Sequence, residues 1–291
     1  MTPPARLPLL RSLLIAALLL TTLAVPAMAQ GRKVALVIGN GSYQHAPALA
    51  NPVNDAEAVA TKLRGLGFEV SLQRNLTLAA MRRALRSFGD SANGAEVALL
   101  YFAGHGMQMG RRDRAENYLL PVDATLQDAR DTDDEALALS KVMDFLDGAQ
   151  NRIIVLDACR DNPLAQRMAN TGATRSASRG LAPLESAGSG TLVAFATAPG
   201  SVAADGTGRN SPFTSALLEH LDTPGLDAQA LFTRVRQRVH EATAGRQVPW
   251  NNDALLRPVY LAGAGASVCQ QRRAGSCLLA KHPGQPQRCG L

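Results

Sequence analysis

The chain has 291 residues, of which 46% are hydrophobic and only 4% are aromatic, and its formal net charge is +6. This length allows one large domain or two small ones with an aliphatic core. The mild basic excess comes with no nucleic-acid motif, so nucleic acid is not expected as a partner.

Residues 1–29 have the composition of a secretory signal peptide. Arg6 and Arg11 form a basic start, an apolar run covers residues 13–20, and Ala27-Met28-Ala29 has the A-x-A form of a cleavage site. Removing this segment lowers the net charge from +6 to +4, because both arginines go and no acid does. The sequence therefore predicts a secreted or periplasmic protein with no membrane contact after cleavage. An uncleaved membrane anchor is the alternative, although the apolar run is short for a spanning helix.

Downstream of this segment, strand patterns alternate with helix patterns, which favours an α/β protein with a mostly parallel sheet and helices on both faces. In chain order we predict a strand at 33–39, a helix at 54–66, a strand at 68–72, a helix at 77–88, a strand at 96–102, a hairpin within 107–120, a helix at 140–148, strands at 152–157 and 191–197, helices at 211–221 and 227–243, and an edge strand at 258–261.

Two segments break this alternation. Residues 163–190 are rich in small residues and arginine, which is typical of a long functional or disordered loop. Residues 263–291 form a tail, predicted to be loosely ordered, that contains Cys269, Cys277 and Cys289. In an oxidising compartment these three cysteines supply at most one disulfide, whose pairing the sequence leaves open, and they lack the C-x-x-C pairs of a zinc site.

A histidine and a cysteine each follow a predicted strand. Gly104-His105-Gly106 comes after the strand at 96–102, and Cys159 follows the strand at 152–157. Open α/β sheets place their sites at the carboxyl ends of the strands, where a cysteine and a histidine can act as nucleophile and base. We expect main-chain N–H groups near Gly106 and Cys159 to hold the oxyanion. The alternative is a loop histidine and a cysteine that packs as a small apolar residue.

These residues resemble the caspase-like cysteine peptidases, the clan of caspases, metacaspases and paracaspases, and its bacterial metacaspase-like branch in particular. The run from Asp157 to Asp161 reads D-A-C-R-D, similar to the caspase signature Q-A-C-[RQG]-G, and His105 lies 54 residues before Cys159, close to the caspase spacing. Residues 101–106 and 210–214 are similar to the bacterial branch.

The resemblance implies a three-layer fold with a mostly parallel six-stranded sheet over residues 32–262. Residues 32–162 would correspond to the large subunit of caspases, residues 163–190 to the processing loop and residues 191–262 to the small subunit.

The resemblance also indicates the specificity. Caspases hold an acidic substrate side chain with two arginines and a glutamine. Here Asp157 replaces the glutamine, and Asp55 and Asp205 fall at or beside the arginine positions. Carboxylates repel acids and pair with cations, so we expect polypeptide substrates cleaved after Arg or Lys. The alternatives are an acid at a helix N-terminus for Asp55, an acid with a structural partner for Asp157, and an Asp-Gly turn for Asp205.

Metacaspases often require calcium, and Asp123, Asp133 and Asp134 stand in comparable order between the histidine and the cysteine. Their oxygens suit calcium, but no acid lies seven residues after Cys159, where Gln166 stands. Ordinary acids at a helix start are the alternative, so no cofactor is expected to be required and calcium stays an open question.

Self-processing is a further expectation, because the 163–190 loop contains Arg167, Arg175 and Arg179, which an enzyme specific for arginine could cut. The leading hypothesis is therefore a cysteine endopeptidase. A catalytically silent caspase-fold module in the cell envelope is the alternative, and a thiol oxidoreductase is disfavoured because no C-x-x-C motif is present.

Overall fold

A computed structural model describes residues 31–109, 116–159, 188–198 and 203–263, and for Cys159 it describes the main chain alone. The predicted signal peptide, the cysteine-containing tail and the three loop arginines lie outside these residues. No helix in the described ranges is long and apolar enough to cross a membrane.

The described elements follow the predicted alternation, with boundaries shifted by a few residues. In chain order they are β1 (Lys33–Gly39), α1 (Pro52–Gly65), β2 (Glu69–Arg74), α2 (Leu78–Ala92), β3 (Val97–Met109), β4 (Glu116–Leu119), a 3₁₀ turn (Ala129–Asp131), α3 (Thr132–Glu135), β5 (Leu137–Ala138), α4 (Leu139–Asp144), β6 (Asn151–Cys159), β7 (Thr191–Phe195), α5 (Pro212–His220), α6 (Ala228–Ala242) and β8 (Trp250–Asp253).

The main sheet has the strand order β2-β1-β3-β6-β7-β8. Its neighbours are parallel except for β7 and β8, so a mostly parallel six-stranded sheet is present as predicted. The far end of β3 leaves this sheet and pairs antiparallel with β4, which forms the predicted hairpin. The chain runs from β1 outward to β2 and then returns to β3 on the other side of β1. Such a reversal opens a crevice at the carboxyl ends of the two inner strands.

Both faces of the sheet are covered, which explains why its strands are continuously apolar. One face, represented by Val37, Tyr101 and Val155, packs against α1, α5 and α6. The opposite face, represented by Leu36 and Leu100, packs against α2 and α4. The described domain is therefore a three-layer sandwich with the crevice at one edge of its middle layer.

Two strand predictions need correction. The predicted strand at 258–261 is wrong, because Tyr260 makes only an isolated bridge with Asp227 and Pro258 has no N–H to donate. The last strand is instead β8, whose polar sequence Trp-Asn-Asn-Asp suits a half-exposed edge and carries no apolar signal. The strand predicted at 96–102 continues to Met109, so His105 lies within β3 rather than in a loop after it.

Candidate active site

His105 and Cys159 lie side by side on neighbouring strands. β3 and β6 pair in parallel, and the last pair in their register joins His105 to Cys159. Neighbouring strands are about 4.8 Å apart. The structure therefore brings together the two residues that the sequence placed at strand ends.

The imidazole of His105 is buried and has a defined orientation. Its Nε2 lies 2.9 Å from the main-chain oxygen of Pro47. A carbonyl oxygen can only accept, so Nε2 must carry the proton of the neutral ring, and Nδ1 keeps a lone pair. Nδ1 has no hydrogen-bond partner among the described residues. Burial lowers the pKa of His105, although the Pro47 carbonyl and the charge of Asp205 act in the opposite direction. The ring is therefore a neutral base with its lone pair on Nδ1.

Gly106 follows the histidine on the strand. The N–H of Leu120 donates to the oxygen of His105 at 3.0 Å, which makes Gly106 and Leu119 a pair without mutual hydrogen bonds. The N–H of Gly106 consequently points to the other side of β3, toward the end of β6. The predicted oxyanion contact requires this direction.

Three carboxylates, Asp55, Asp157 and Asp205, form what we call the acid cluster. Asp55 in the first turn of α1 is 1% exposed, and Asp157 near the end of β6 is 7% exposed. Asp205 is half-buried and lies in the segment before α5. The structure thus gathers all three predicted pocket residues near the carboxyl edge of the sheet.

The start of α5 holds the two buried carboxylates. Oδ1 of Asp55 accepts hydrogen bonds from Asn210 Nδ2 at 2.7 Å and from the N–H of Ser211 at 3.1 Å. Oδ2 of Asp157 accepts from the Ser211 hydroxyl at 2.5 Å and from the Thr214 hydroxyl at 2.6 Å. The sequence indicates only that residues 210–214 are similar to the bacterial branch of the family. Nothing in its pattern predicts that these residues bind Asp55 and Asp157.

The acid cluster brings carboxylates of like charge together in a buried place. Burial raises the pKa of Asp55 above its ordinary value, and the charges of Asp157 and Asp205 raise it further. Burial also raises the pKa of Asp157, and the bonds from Ser211 and Thr214 only partly offset this effect. Desolvated acids of like charge gain most from a cation, because it removes their mutual repulsion.

Asp205 connects the acid cluster to the loop that carries Pro47. Its Oδ2 accepts the N–H of Ala50 at 3.0 Å, and its main-chain oxygen accepts Asn51 Nδ2 at 2.5 Å. Pro47 belongs to the same loop, and its main-chain oxygen accepts a hydrogen bond from Nε2–H of His105. Asp205 and the histidine are therefore both held by this one segment of chain.

The calcium site at Asp123, Asp133 and Asp134 stays a prediction, and two of these acids have other partners in the structure. Oδ1 of Asp123 accepts the N–H of Leu78 at the start of α2, and Oδ1 of Asp133 accepts the Tyr118 hydroxyl at 2.7 Å. Asp134 is exposed on α3. Within the described ranges no three His, Cys, Asp or Glu side chains are grouped so that they could hold a metal ion. Helix capping and a tyrosine contact account for the first two acids.

Comparison with known proteins gives one family and several relatives. Residues 32–260 match a family model described as a caspase domain. Two curated proteins, mucosa-associated lymphoid tissue lymphoma translocation protein 1 of Homo sapiens and its homolog in Mus musculus, are each 37% identical over 92 residues. These residues make up 32% of the present chain and 11% of each relative, so the match spans about a tenth of their length.

A solved structure extends the likeness over most of the domain. The crystal structure of caspase-1 from Spodoptera frugiperda matches with a TM-score of 0.56 and 19% sequence identity. The match covers 82% of the present chain and 92% of the insect chain. At this identity it shows a common fold.

Proposed function

The chain belongs to the caspase domain family, a family of cysteine peptidases, and from this premise we propose that it is an endopeptidase that cleaves polypeptides after arginine or lysine. The resemblance seen in the sequence and the fold it implied are confirmed by the family match and the solved caspase. The observation that carries the specificity is the acid cluster, which lies at the same edge of the sheet as the paired His105 and Cys159.

In the proposed reaction Cys159 is the nucleophile and His105 is the base. Nδ1 of His105 accepts the thiol proton, and the sulfur attacks the scissile carbonyl to give a tetrahedral oxyanion held by main-chain N–H groups near Gly106 and Cys159. The imidazolium then protonates the leaving amine, which departs and leaves a thioester. Water deprotonated by His105 hydrolyses the thioester and restores the thiol.

The Pro47 carbonyl has the orienting role in this scheme. It fixes the ring through Nε2–H and so keeps Nδ1 as the basic atom. No third acidic residue is needed to orient the ring.

The acid cluster binds the basic side chain that precedes the cleaved bond. Ser211 and Thr214 both hold Oδ2 of Asp157, and Asn210 holds Oδ1 of Asp55, so we assign the second oxygen of each carboxylate to the substrate cation. A guanidinium or ammonium group there restores the charge balance of two buried acids. An acidic side chain would add a further negative charge beside the cluster, so we expect the acidic substrates of caspases to be excluded.

The site of action follows from the N-terminal segment. We propose that residues 1–29 direct the protein out of the cytoplasm and are removed, which makes it a secreted or periplasmic peptidase.

Matched peptide reporters test the function. Reporters that differ only in Arg, Lys or Asp before the cleaved bond are assayed with wild type, Cys159→Ala and His105→Ala, with and without calcium. We expect turnover of the Arg and Lys reporters by wild type alone. If no reporter is turned over and a basic covalent inhibitor fails to label Cys159, the proposal is wrong and a silent caspase-fold module is favoured. If the Asp reporter is preferred, the assignment of the acid cluster is wrong.

A further inference from the structure

Tyr43 lies directly against the imidazole of His105. The two ring centroids are 4.4 Å apart and the rings are tilted by 50°. Tyr43 is 9% exposed and His105 is 2% exposed, so the contact is largely shielded from water. The strand–helix pattern gave no reason to single out this tyrosine, which stands in the loop after β1.

The hydroxyl of Tyr43 makes a second, separate contact with the same residue. The main-chain N–H of His105 donates to the Tyr43 oxygen at 2.7 Å, and the hydroxyl donates to the main-chain oxygen of Leu120 at 3.3 Å. The hydroxyl therefore bridges β3 at the histidine to the segment that follows β4. Gly104 makes this approach feasible, because a Cβ at that position would lie 2.6 Å from the tyrosine oxygen.

The loop that carries Tyr43 is itself held in place. Oδ1 of Asn75 accepts the N–H groups of Gly41 at 2.9 Å and Ser42 at 3.0 Å. The fully buried Asn40 donates to Leu120 O, the same oxygen that the tyrosine hydroxyl uses. The N–H of Gln44 donates to the oxygen of Val122 at 2.8 Å. These bonds fix the path of the loop on both sides of Tyr43.

One loop thus supplies two independent constraints on the histidine. Pro47 binds the ring at Nε2, and Tyr43 packs against the ring and holds its main chain. A hydrogen bond at one atom still lets a ring swing about that bond, whereas a packed neighbour limits the swing. A displacement of about 1 Å at a catalytic group can reduce turnover on the order of 100-fold.

We propose that Tyr43 is a positioning residue that holds the His105 ring with Nδ1 directed for proton transfer. This inference rests on the proposed function, since it assigns a role within that catalytic pair. In this role Tyr43 acts through His105 and not through the substrate, so we expect its loss to affect turnover more than substrate binding.

Two variants separate the ring from the hydroxyl. In Tyr43→Phe the ring contact remains and the main-chain N–H of His105 loses its acceptor, and we expect kcat to fall roughly tenfold with KM nearly unchanged. In Tyr43→Leu the ring contact is lost as well, and we expect kcat to fall on the order of 100-fold. The matched control is Tyr118→Phe, since Tyr118 is 8% exposed, belongs to the same apolar cluster as Tyr43, and donates its hydroxyl to Asp133.

A spectroscopic readout makes the test independent of turnover. NMR titration of the His105 ring is followed in a Cys159→Ala background and assigned by the signal that disappears in His105→Ala. Since burial lowers the pKa of this ring, Tyr43→Leu should raise it toward its ordinary value, whereas Tyr118→Phe should leave it unchanged. The charge of Asp205 raises the pKa of His105, and this residue is kept in all variants, so its effect is the same in each titration.

The outcomes are distinct. The inference is overturned if both Tyr43 variants keep kcat within twofold of wild type with an unchanged His105 titration. It is also overturned if kcat falls only in proportion to a loss of thermal stability that Tyr118→Phe reproduces. If wild type turns over no reporter, the proposed function fails, and the His105 titration alone decides whether Tyr43 controls the ring.

Discussion

Asp55 and Asp157 are carboxylates whose pKa values are raised by burial, and the charge of Asp205 raises both further. The start of α5 gives Asp55 two donors and Asp157 two hydroxyls, and these bonds only partly offset the effect of burial. Because the pKa of each acid is raised above its unfolded value near 3.9, the folded state binds the proton more tightly. Folding stability therefore falls as the pH rises from the unfolded pKa to the raised one.

Asp55→Asn should stabilise the protein and weaken its activity. An amide oxygen can still accept from Asn210 and Ser211, while the buried charge disappears. We expect the free energy of unfolding to rise by on the order of 1 kcal/mol at about pH 8, with little gain at about pH 4, and kcat/KM for an Arg reporter to fall about 10-fold to 100-fold. Denaturant unfolding at the two pH values and reporter kinetics measure both effects. A variant destabilised at both pH values would show that the carboxylate is there for structure.

The pH profile of wild type should differ between free and substrate-bound enzyme. The raised pKa values of Asp55 and Asp157 place the acid limb of kcat/KM for an Arg reporter at higher pH than the limb of kcat. A bound cation lowers the pKa values of both acids, so the acid limb of kcat, measured at saturation, moves to lower pH. His105 is still neutral there, because burial lowers its pKa. Rate measurements across pH with Asp157→Asn as the control check this, and two coincident limbs would contradict it.

The site residues that the sequence predicted have reactive or charged side chains and stand at the ends of predicted strands. His105 and Cys159 follow apolar runs, and Asp157 stands two residues before the cysteine, so their common edge could be inferred from pattern alone. Pro47 and Tyr43 act through a carbonyl and a packed ring of an irregular loop. Their roles depend on the path of that loop, which has no periodicity to read.

At the scale of elements, the N-terminus of α5 links fold stability to specificity. Ser211 is the N-cap, and its oxygen accepts the N–H of Thr214 at 2.9 Å while its hydroxyl donates to Asp157. The N–H groups of a first helical turn favour a negative charge nearby, so this end of α5 suits the buried acid. One hydroxyl thus serves both the helix and the pocket.

Ser211→Ala should therefore lower both the stability of the protein and its activity on basic reporters. We expect a loss of stability of about 1 kcal/mol, as for other N-caps, together with a several-fold fall in kcat/KM for basic reporters because Asp157 loses a donor. Thr77→Ala is the matched control, since Thr77 caps α2 through its hydroxyl and has no contact with the acid cluster in the described bonds. Equal effects of both variants on kcat/KM would contradict the link.

Element prediction succeeded where apolar periodicity was strong and failed at edges. The helices predicted at 77–88, 211–221 and 227–243 are observed as α2, α5 and α6 with bounds shifted by a few residues. β8 is short, polar and half-exposed, so nothing distinguishes it from a loop. The extension of β3 through two glycines to Met109 is imposed by pairing with β4, which is a tertiary constraint.

At the scale of the whole molecule, strand order creates the site. The alternation of strands and helices predicted a mostly parallel sheet, but only the order β2-β1-β3-β6 shows that the reversal point lies between β1 and β3. That reversal places the loop after β1 beside the His105 strand, so Pro47 and Tyr43 reach the ring. Acid cluster, base and nucleophile come from segments far apart in sequence and meet at one edge of the sheet.

The same topology underlies the prediction of self-processing. Residues 160–190 connect β6, which ends at Cys159, with β7, its parallel neighbour, so the connection starts at the proposed nucleophile. Arg167, Arg175 and Arg179 lie in it, outside the described residues. We expect purified wild type to yield fragments that end at one of these arginines, as read by mass spectrometry of the intact protein.

Three variants identify the agent of this cleavage. Cys159→Ala should stay whole on its own, and its cleavage on addition of wild type would show that the loop is also cut between molecules. Asp157→Asn should process itself more slowly, because the loop arginine and a reporter arginine need the same carboxylate. Identical fragmentation of Cys159→Ala alone would assign the cuts to a contaminating protease. Slowed reporter turnover without slowed processing would show that the loop arginine does not use the acid cluster, and the shared pocket would then be wrong for the loop.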